Sequence, residues 1–279
     1  LHCDFFMKRT LYITDLDGTL LNAHSRVSER SSAILSDLVT RHNVLFSIAT
    51  ARTPATAVEL MSCVPTPIPL IVMAGAAMWD TARSQYVNSV PIPENVVQRV
   101  CAAYEAHGVH PFVYRNHGGV LHTYHHPEVH GEEKQFIDDR ISTPYKRFII
   151  TSEPYTASSD PTLLIFAMNR FELLEAVQRD IVAAHIPCHS VCYHDIFNHS
   201  NSNLEVYAHR VTKTAAVTRL KALTGADRLV VFGDNLNDLP MLRCAGLSVA
   251  MGNASDAVRA AADVIVADNE HGGMAEILN

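Results

Sequence analysis

Thr10-Leu11-Tyr12-Ile13-Thr14-Asp15-Leu16-Asp17-Gly18-Thr19-Leu20 is the stretch that decides the fold. Its first five residues are apolar or β-branched and of strand length, and they open directly into a loop carrying two carboxylates. A strand this apolar belongs inside a sheet, where paired negative charge at the strand end is costly unless a cation or a reaction uses it. Residues i and i+2 of an extended segment point to the same side, so Asp15 and Asp17 share a side and Leu16 turns to the core. Asp15 is therefore read as a nucleophile. Gly18 lets the backbone turn sharply beside a ligand, and the Thr19 hydroxyl is placed to hold a neighbouring carboxylate. Taken alone, the run also fits a turn or a calcium-loop fragment.

Three further segments bear on that choice. Val44-Leu45-Phe46-Ser47-Ile48-Ala49-Thr50-Ala51-Arg52 reads as a buried strand ending in Thr50, and Pro54 suits the first turn of a following helix. Leu204 to Thr214 reads as a strand giving way to a helix, with Lys213 in its first turn. A cation is unfavourable beside the positive end of a helix, and a bound anion removes that penalty. Leu229-Val230-Val231-Phe232-Gly233-Asp234-Asn235-Leu236-Asn237-Asp238 is again a buried strand opening into an acidic loop. The first two have ordinary readings by themselves, a strand that merely ends in Thr and a solvated surface lysine, whereas Gly-Asp-x-x-Asn-Asp after an apolar strand is more specific.

Together, and in this chain order, they resemble the motifs of the haloacid dehalogenase superfamily. The resemblance implies that Asp15 attacks phosphorus and that Asp17 serves as general acid and base. It implies that Thr50, the Ala51 N–H, Lys213 and Asn237 hold the transferring oxygens and that Arg52 faces the substrate. It implies a Mg2+ ion held by the side chains of Asp15 and Asp234 and the backbone carbonyl of Asp17, with Thr19 and Asp238 supporting from outside. Such a site must import positive charge, because a unit pair of like charges about 4 Å apart repels by roughly 4 kcal/mol at an effective dielectric near 20. Magnesium suits it, preferring oxygen ligands shared between carboxylates and a substrate phosphate. Two departures stand out: Ala51 occupies a position where the family has Gly, and Ala74-Gly75-Ala76 stands where it has Asn-Gly-Ala.

The remaining sequence narrows the class. With 22 Lys and Arg against 29 Asp and Glu the net charge is −7, and no basic block is present, which argues against nucleic acid as a partner. No stretch approaches the roughly 18 apolar residues of a membrane span. Leu1 to Phe6 is too short for a signal peptide and carries Asp4; Met7-Lys8-Arg9 reads as a natural start with the first six residues an extension. Cys3, Cys63, Cys101, Cys188, Cys192 and Cys244 form neither a dense framework nor a CxxC pair, as expected of scattered reduced thiols in a cytoplasmic protein. The pattern sets no oligomeric state.

Strands are expected at about 10 to 15, 44 to 50 and 69 to 74, with helices at 28 to 41 and 54 to 63, an alternation that signals a parallel sheet with helical crossovers. It resumes after residue 200 with a helix at 212 to 223, a strand at 229 to 232, a helix at 237 to 244 and strands at 247 to 251 and 264 to 266. All the motifs fall at strand C-terminal ends, where open α/β sheets bind ligands. Residues 91 to 198 read differently: a helix at 94 to 107, a hairpin of Phe112 to Arg115 with Val120 to Tyr124, a helical stretch at 131 to 140, then strand Leu163 to Met168, helix Phe171 to Ala184 and strand His189 to Phe197. The fold class is thus α/β, a Rossmann-like core of residues 1–90 and 199–279 with an inserted α+β domain at 91–198. The insertion resembles the C2 (IIB) cap of the Cof-like branch, which implies a Mg2+-dependent phosphatase for small phosphorylated metabolites such as sugar phosphates, with a cap that closes over the phosphate and selects the substrate.

Ten of the sixteen His lie in the insertion, His122, His125, His126 and His130 among them. His122, His126 and His130 would share a face of a helix, but Pro127 interrupts one, so solvated or substrate-facing roles are favoured over a metal site. Two rivals use the same residues: a phosphosugar mutase of this superfamily, and a non-catalytic metabolite-binding relative. A dehalogenase is disfavoured, because Asp17 has no use there.

Overall fold

The computed structural model describes residues 9–129, 131–152, 156–194 and 201–278. The readings of Leu1 to Lys8, of His130 and of Asp195 to Phe197 as strand lie outside the described residues.

In chain order the elements are β1 (Thr10–Thr14), α1 (Glu29–Arg41), β2 (Leu45–Ile48), α2 (Pro54–Leu60), β3 (Leu70–Val72), β4 (Ala77–Asp80) and β5 (Gln85–Val87). There follow α3 (Glu94–Glu105), β6 (Phe112–His117), β7 (Val120–His125), α4 (Gly131–Asp138), β8 (Lys146–Ile150), β9 (Thr162–Asn169), α5 (Phe171–Ala183), β10 (Cys188–His194) and β11 (Ser202–Ala208). The chain ends with α6 (Lys213–Thr224), β12 (Arg228–Gly233), α7 (Leu239–Arg243), β13 (Leu247–Ala250), α8 (Asp256–Ala261), β14 (Val264–Ile265) and α9 (Met274–Leu278). They form two compact units, Leu1–Asn88 with Thr212–Asn279, and Ser89–Val211.

The first unit is built on a five-stranded sheet in the order β14-β13-β12-β1-β2, parallel throughout. β1 lies inside it, with Leu11 and Ile13 fully buried, as the apolar run requires. Leu11, Ile13, Leu229 and Val231 pack with Val217 and Leu220 of α6 and Met241 and Leu242 of α7 in one core cluster, each large side chain contributing roughly 1.5–3 kcal/mol by leaving water. Local signals set the helix ends. Ser28 caps α1 by accepting the Ser31 N–H, Pro54 opens α2, and α6 runs from the Thr212 cap, which accepts the Ala215 N–H, to a left-handed Gly225.

The stretch read as a strand at 69 to 74 meets the parallel sheet through a bridge between Ala49 and Ile71. β3 instead pairs antiparallel with β4, and β4 with β5, in a separate three-stranded sheet. After Val72 the chain turns through Met73 and Ala74, both at positive φ.

The second unit holds a six-stranded sheet in the order β10-β11-β9-β6-β7-β8, antiparallel except for β7 with β8. On one side α3 and α5 reach it: Tyr104 Oη donates to the Leu204 carbonyl, and Gln178 Nε2 to that of Ser190. On the other, Phe136 of α4 meets the rings of Phe112, Phe148 and Phe166. The expected boundary at 198/199 is corrected here. Ser202–Ala208 pairs with both β9 and β10, so this strand belongs to the insertion, which continues to Val211.

Candidate active site

The parallel register assembles the site. Thr14 lies level with Ile48 and with Phe232, so Asp15, Ala49 and Gly233 follow at one edge of the sheet, with Thr50 and Asp234 one step further. The ladder runs past the strand ends, the Asp15 N–H donating to the Phe232 carbonyl at 3.2 Å and the Ala49 N–H to that of Thr14 at 2.9 Å. Beyond Asp17 the chain folds back at Gly18, where φ is +76° and a Cβ would collide with the Asp234 carboxylate. This is a position that glycine alone fits. Thr19 Oγ1 donates to Asp234 Oδ1 at 2.7 Å, so the hydroxyl holds the carboxylate anticipated from sequence.

Lys213 reaches this edge from the first turn of α6. Its Nζ lies 2.9 Å from Asp15 Oδ1 and 2.9 Å from Asp238 Oδ1, with the lysine side chain 7 % exposed. Asp238 is fully buried, and its second oxygen accepts the N–H groups of Asp234 and Asn235, each at 3.2 Å. Burial alone would lower the lysine's affinity for its proton, but Asp15 and Asp238 outweigh that and hold the ammonium above its ordinary value. Burial pushes the Asp15 carboxyl up to about 7, restrained by Lys213 and reinforced by Asp238. Asp234 is pushed up to about 6 by burial, against the hydrogen bond from Thr19.

Oxygens of Asp15, Asp234 and Asp238 lie within 4.8 Å of one another. Three carboxylates thus gather beside one ammonium, Lys213 pairing with Asp15 and Asp238. An all-oxygen donor set of this kind fits a hard divalent cation. Asp238, with both oxygens engaged, is best placed to hold Lys213 and the turn at 234–235.

Asp17 stands apart from this cluster. Arg52 takes its carboxylate with both arms of the guanidinium, Nε to Oδ2 at 2.8 Å and Nη2 to Oδ1 at 2.6 Å, and that hydrogen bonding raises the arginine's own proton affinity. Thr50 is buried and its Oγ1 accepts the Arg52 N–H at 3.1 Å. Ala51 is exposed and is not among the described residues with positive φ, so the replacement of Gly there needs no left-handed backbone. Asn237 is exposed on the turn that Asn235 caps. The Asp17–Arg52 pairing had no signal in the sequence beyond the presence of an arginine after Thr50. Equally without a signal in the sequence, Asn253 Nδ2 donates to the Gly18 carbonyl at 2.7 Å.

The other departure, Ala74, lies behind this edge. It sits at φ 53°, its N–H donating to the Thr50 carbonyl and that of Met73 to the Arg52 carbonyl, each at 2.9 Å. Asn and Gly enter that backbone region more easily than Ala does.

Residues 12–278 match the sequence profile of haloacid dehalogenase-like hydrolases. A Bacillus subtilis 5-amino-6-(5-phospho-D-ribitylamino)uracil phosphatase is 27% identical over 277 residues, covering 96% of this chain and 94% of its own. Among solved structures, a Thermotoga maritima protein superposes with a TM-score of 0.78 at 23% identity over 98% of this chain and 97% of its own. A haloacid dehalogenase subclass IIB sugar phosphatase does so with a TM-score of 0.72 at 20% identity over 96% and 97%.

Proposed function

The chain belongs to the haloacid dehalogenase-like hydrolases as a phosphatase of the Cof-like branch, and from that premise we propose that it hydrolyses small phosphorylated metabolites, with Mg2+, through an aspartyl-phosphate on Asp15. One observation carries the reading most: Asp15 ends a central strand in contact with a buried ammonium, inside a carboxylate cluster.

In this reading Asp15, Asp234 and the Asp17 carbonyl would hold Mg2+, which would supply the charge that lets an anionic carboxylate approach an anionic ester. Asp15 Oδ attacks phosphorus and the ester oxygen leaves. Lys213, steadied by Asp238, faces the equatorial oxygens with Thr50, the Ala51 N–H and Asn237. Asp17 gives a proton to the departing alkoxide and then takes one from the water that cleaves the acyl phosphate. Both Asp17 oxygens are taken up by Arg52, so Arg52 must let go of Asp17 before that side chain can reach the leaving oxygen, and the substrate's phosphoryl group is the competing partner. Sugar phosphates are the proposed substrates. The phosphorylated ribityl chain in the name of the Bacillus subtilis relative makes that compound a direct candidate. We place the protein in the cytoplasm. Cys63, Cys101, Cys188, Cys192 and Cys244 are free thiols, and no helix among the described residues is long and apolar enough to cross a membrane.

Phosphate release from p-nitrophenyl phosphate, by wild type and Asp15→Asn, with Mg2+ and with chelator, tests this. Turnover is expected only for wild type with Mg2+; an Asp15→Asn variant as active as wild type would end the proposal. A panel of sugar and ribityl phosphates compared by kcat/KM then identifies the substrate.

A further inference from the structure

We propose that Asn253 is a positioning residue whose side-chain amide, by holding the Gly18 carbonyl, sets the spacing of the two loops that grip the divalent cation. This rests on the preceding reading of Asp15, Asp17 and Asp234 as the cation's holders.

Asn253 is exposed, so packing does not explain what its side chain does. Nδ2 donates to the Gly18 carbonyl at 2.7 Å, and Oδ1 accepts the Asn269 N–H at 3.2 Å. Asn269 Nδ2 in turn donates to the Leu21 carbonyl at 2.7 Å, at the far side of the same turn. Two residues on from Asn253, the Ser255 N–H donates to the Asp234 carbonyl at 3.1 Å. The short segment 253–255 therefore touches both cation-bearing loops, one through a side chain and the other through the backbone.

That segment is itself fixed. Arg259 Nη1 donates to the Gly252 carbonyl at 3.1 Å and also to that of Ala254. The Gly252 N–H donates to the Ala267 carbonyl at 3.2 Å, and the Met251 N–H to that of Gly233 at 3.2 Å. Gly252 leaves no room for movement towards the chain beside it, since a Cβ there would lie 2.9 Å from the Asp268 nitrogen.

The held point is the one most in need of holding. Gly18 has the loosest backbone of the loop, and it passes so close to Asp234 that a side chain would not fit. The Gly18 carbonyl belongs to the peptide that leads into Thr19, so rotation of that peptide would shift Thr19, which binds Asp234 Oδ1. A hydrogen bond on the Gly18 carbonyl removes that rotation. Outer partners of this kind, when removed, typically cost roughly 10–100-fold in metal affinity or activity.

The test measures cation binding directly. Mn2+, which shares magnesium's preference for octahedral oxygen ligands, is titrated into the protein while free Mn2+ is followed by electron paramagnetic resonance. Asn253→Ala and Asn253→Leu are expected to bind Mn2+ roughly tenfold more weakly than wild type, with Asn253→Gln, which keeps an amide, recovering part of the loss. Turnover of p-nitrophenyl phosphate should return towards wild type at saturating Mg2+. Equal Mn2+ affinity in wild type, Asn253→Ala and Asn253→Leu would overturn the proposal, and a lower Tm of the metal-free variants with unchanged affinity would do the same. A wild-type protein that binds no Mn2+ would instead overturn the metal reading, and the brace with it.

Discussion

Arg52 makes the strongest claim on a single side chain. Both of its contacts to Asp17 are short and directional, so removing it frees the Asp17 carboxylate from its fixed orientation and, on the proposed mechanism, takes a cation from the phosphoryl site. Arg52→Ala is expected to lower kcat/KM by roughly a hundredfold, measured with p-nitrophenyl phosphate and Mg2+. Arg52→Lys should recover only part of that, because an ammonium cannot grip a carboxylate with two arms. A variant with wild-type kcat/KM would show the pairing to be incidental. At this scale the residue types were legible from sequence wherever chemistry dictates them at strand ends: Asp15, Thr50, Lys213, Asp234 and Asp238 are brought to one edge. What the chain does after each strand was not legible. The fold-back at Gly18 decides that the Asp17 carboxylate meets Arg52 while Asp234 and Asp238 gather round Asp15, and Asn253 reaches Gly18 from the other end of the sequence. No spacing in a linear motif encodes such contacts.

At the scale of elements, the parallel strands and their helices were readable because apolar periodicity and caps announce them. The misreadings fell where a strand's partners are chosen by tertiary context: Ser202–Ala208 carries the same apolar pattern whether it pairs within the core or, as it does, with β9 and β10. The turn after β3 was equally hidden, since alanine gives no sign of a left-handed backbone. Ala74 sits at φ 53° there, a conformation that costs an ordinary residue roughly 1–2 kcal/mol. Ala74→Gly should therefore stabilise the protein by about 1 kcal/mol against denaturant, less the entropy glycine adds to the unfolded chain. Destabilisation would mean that the Ala74 methyl packs to advantage. A second stored cost lies at the start of β8. Lys146 is 6 % exposed, its Nζ ringed by Tyr114, Phe136 and Phe148 at 4.6–4.9 Å. Burial, helped by Arg140, pulls its pKa from 10.5 down to about 7. Between those values the unfolded chain binds a proton that the folded chain does not, so this lysine's penalty is greatest below pH 7 and fades as pH rises towards 10.5. Lys146→Met, similar in length and uncharged, is expected to raise Tm at pH 6 and to lose most of that advantage by pH 9.5. A pH-independent difference would contradict the buried-charge explanation.

For the whole molecule, the catalytic unit is discontinuous: the chain leaves it after Asn88 and re-enters at Thr212, one residue before Lys213. Asp15 therefore meets its ammonium only when both segments of the first unit have come together, and the long insertion between them leaves that meeting intact. The fold class was legible from the alternating pattern alone; the exact return point was not, because the last strand of the insertion and the first turn of α6 are separated by a few residues with no change in composition. On the proposed mechanism this assembled edge transfers a phosphoryl group to Asp15. That transfer is tested most directly by mixing the protein with Mg2+ and radiolabelled substrate, quenching in acid within one turnover and mapping the label to a peptide. A labelled, hydroxylamine-sensitive peptide containing Asp15 is expected, absent in Asp15→Asn. Full phosphate release with no label on the protein, or with the label on another residue, would contradict it.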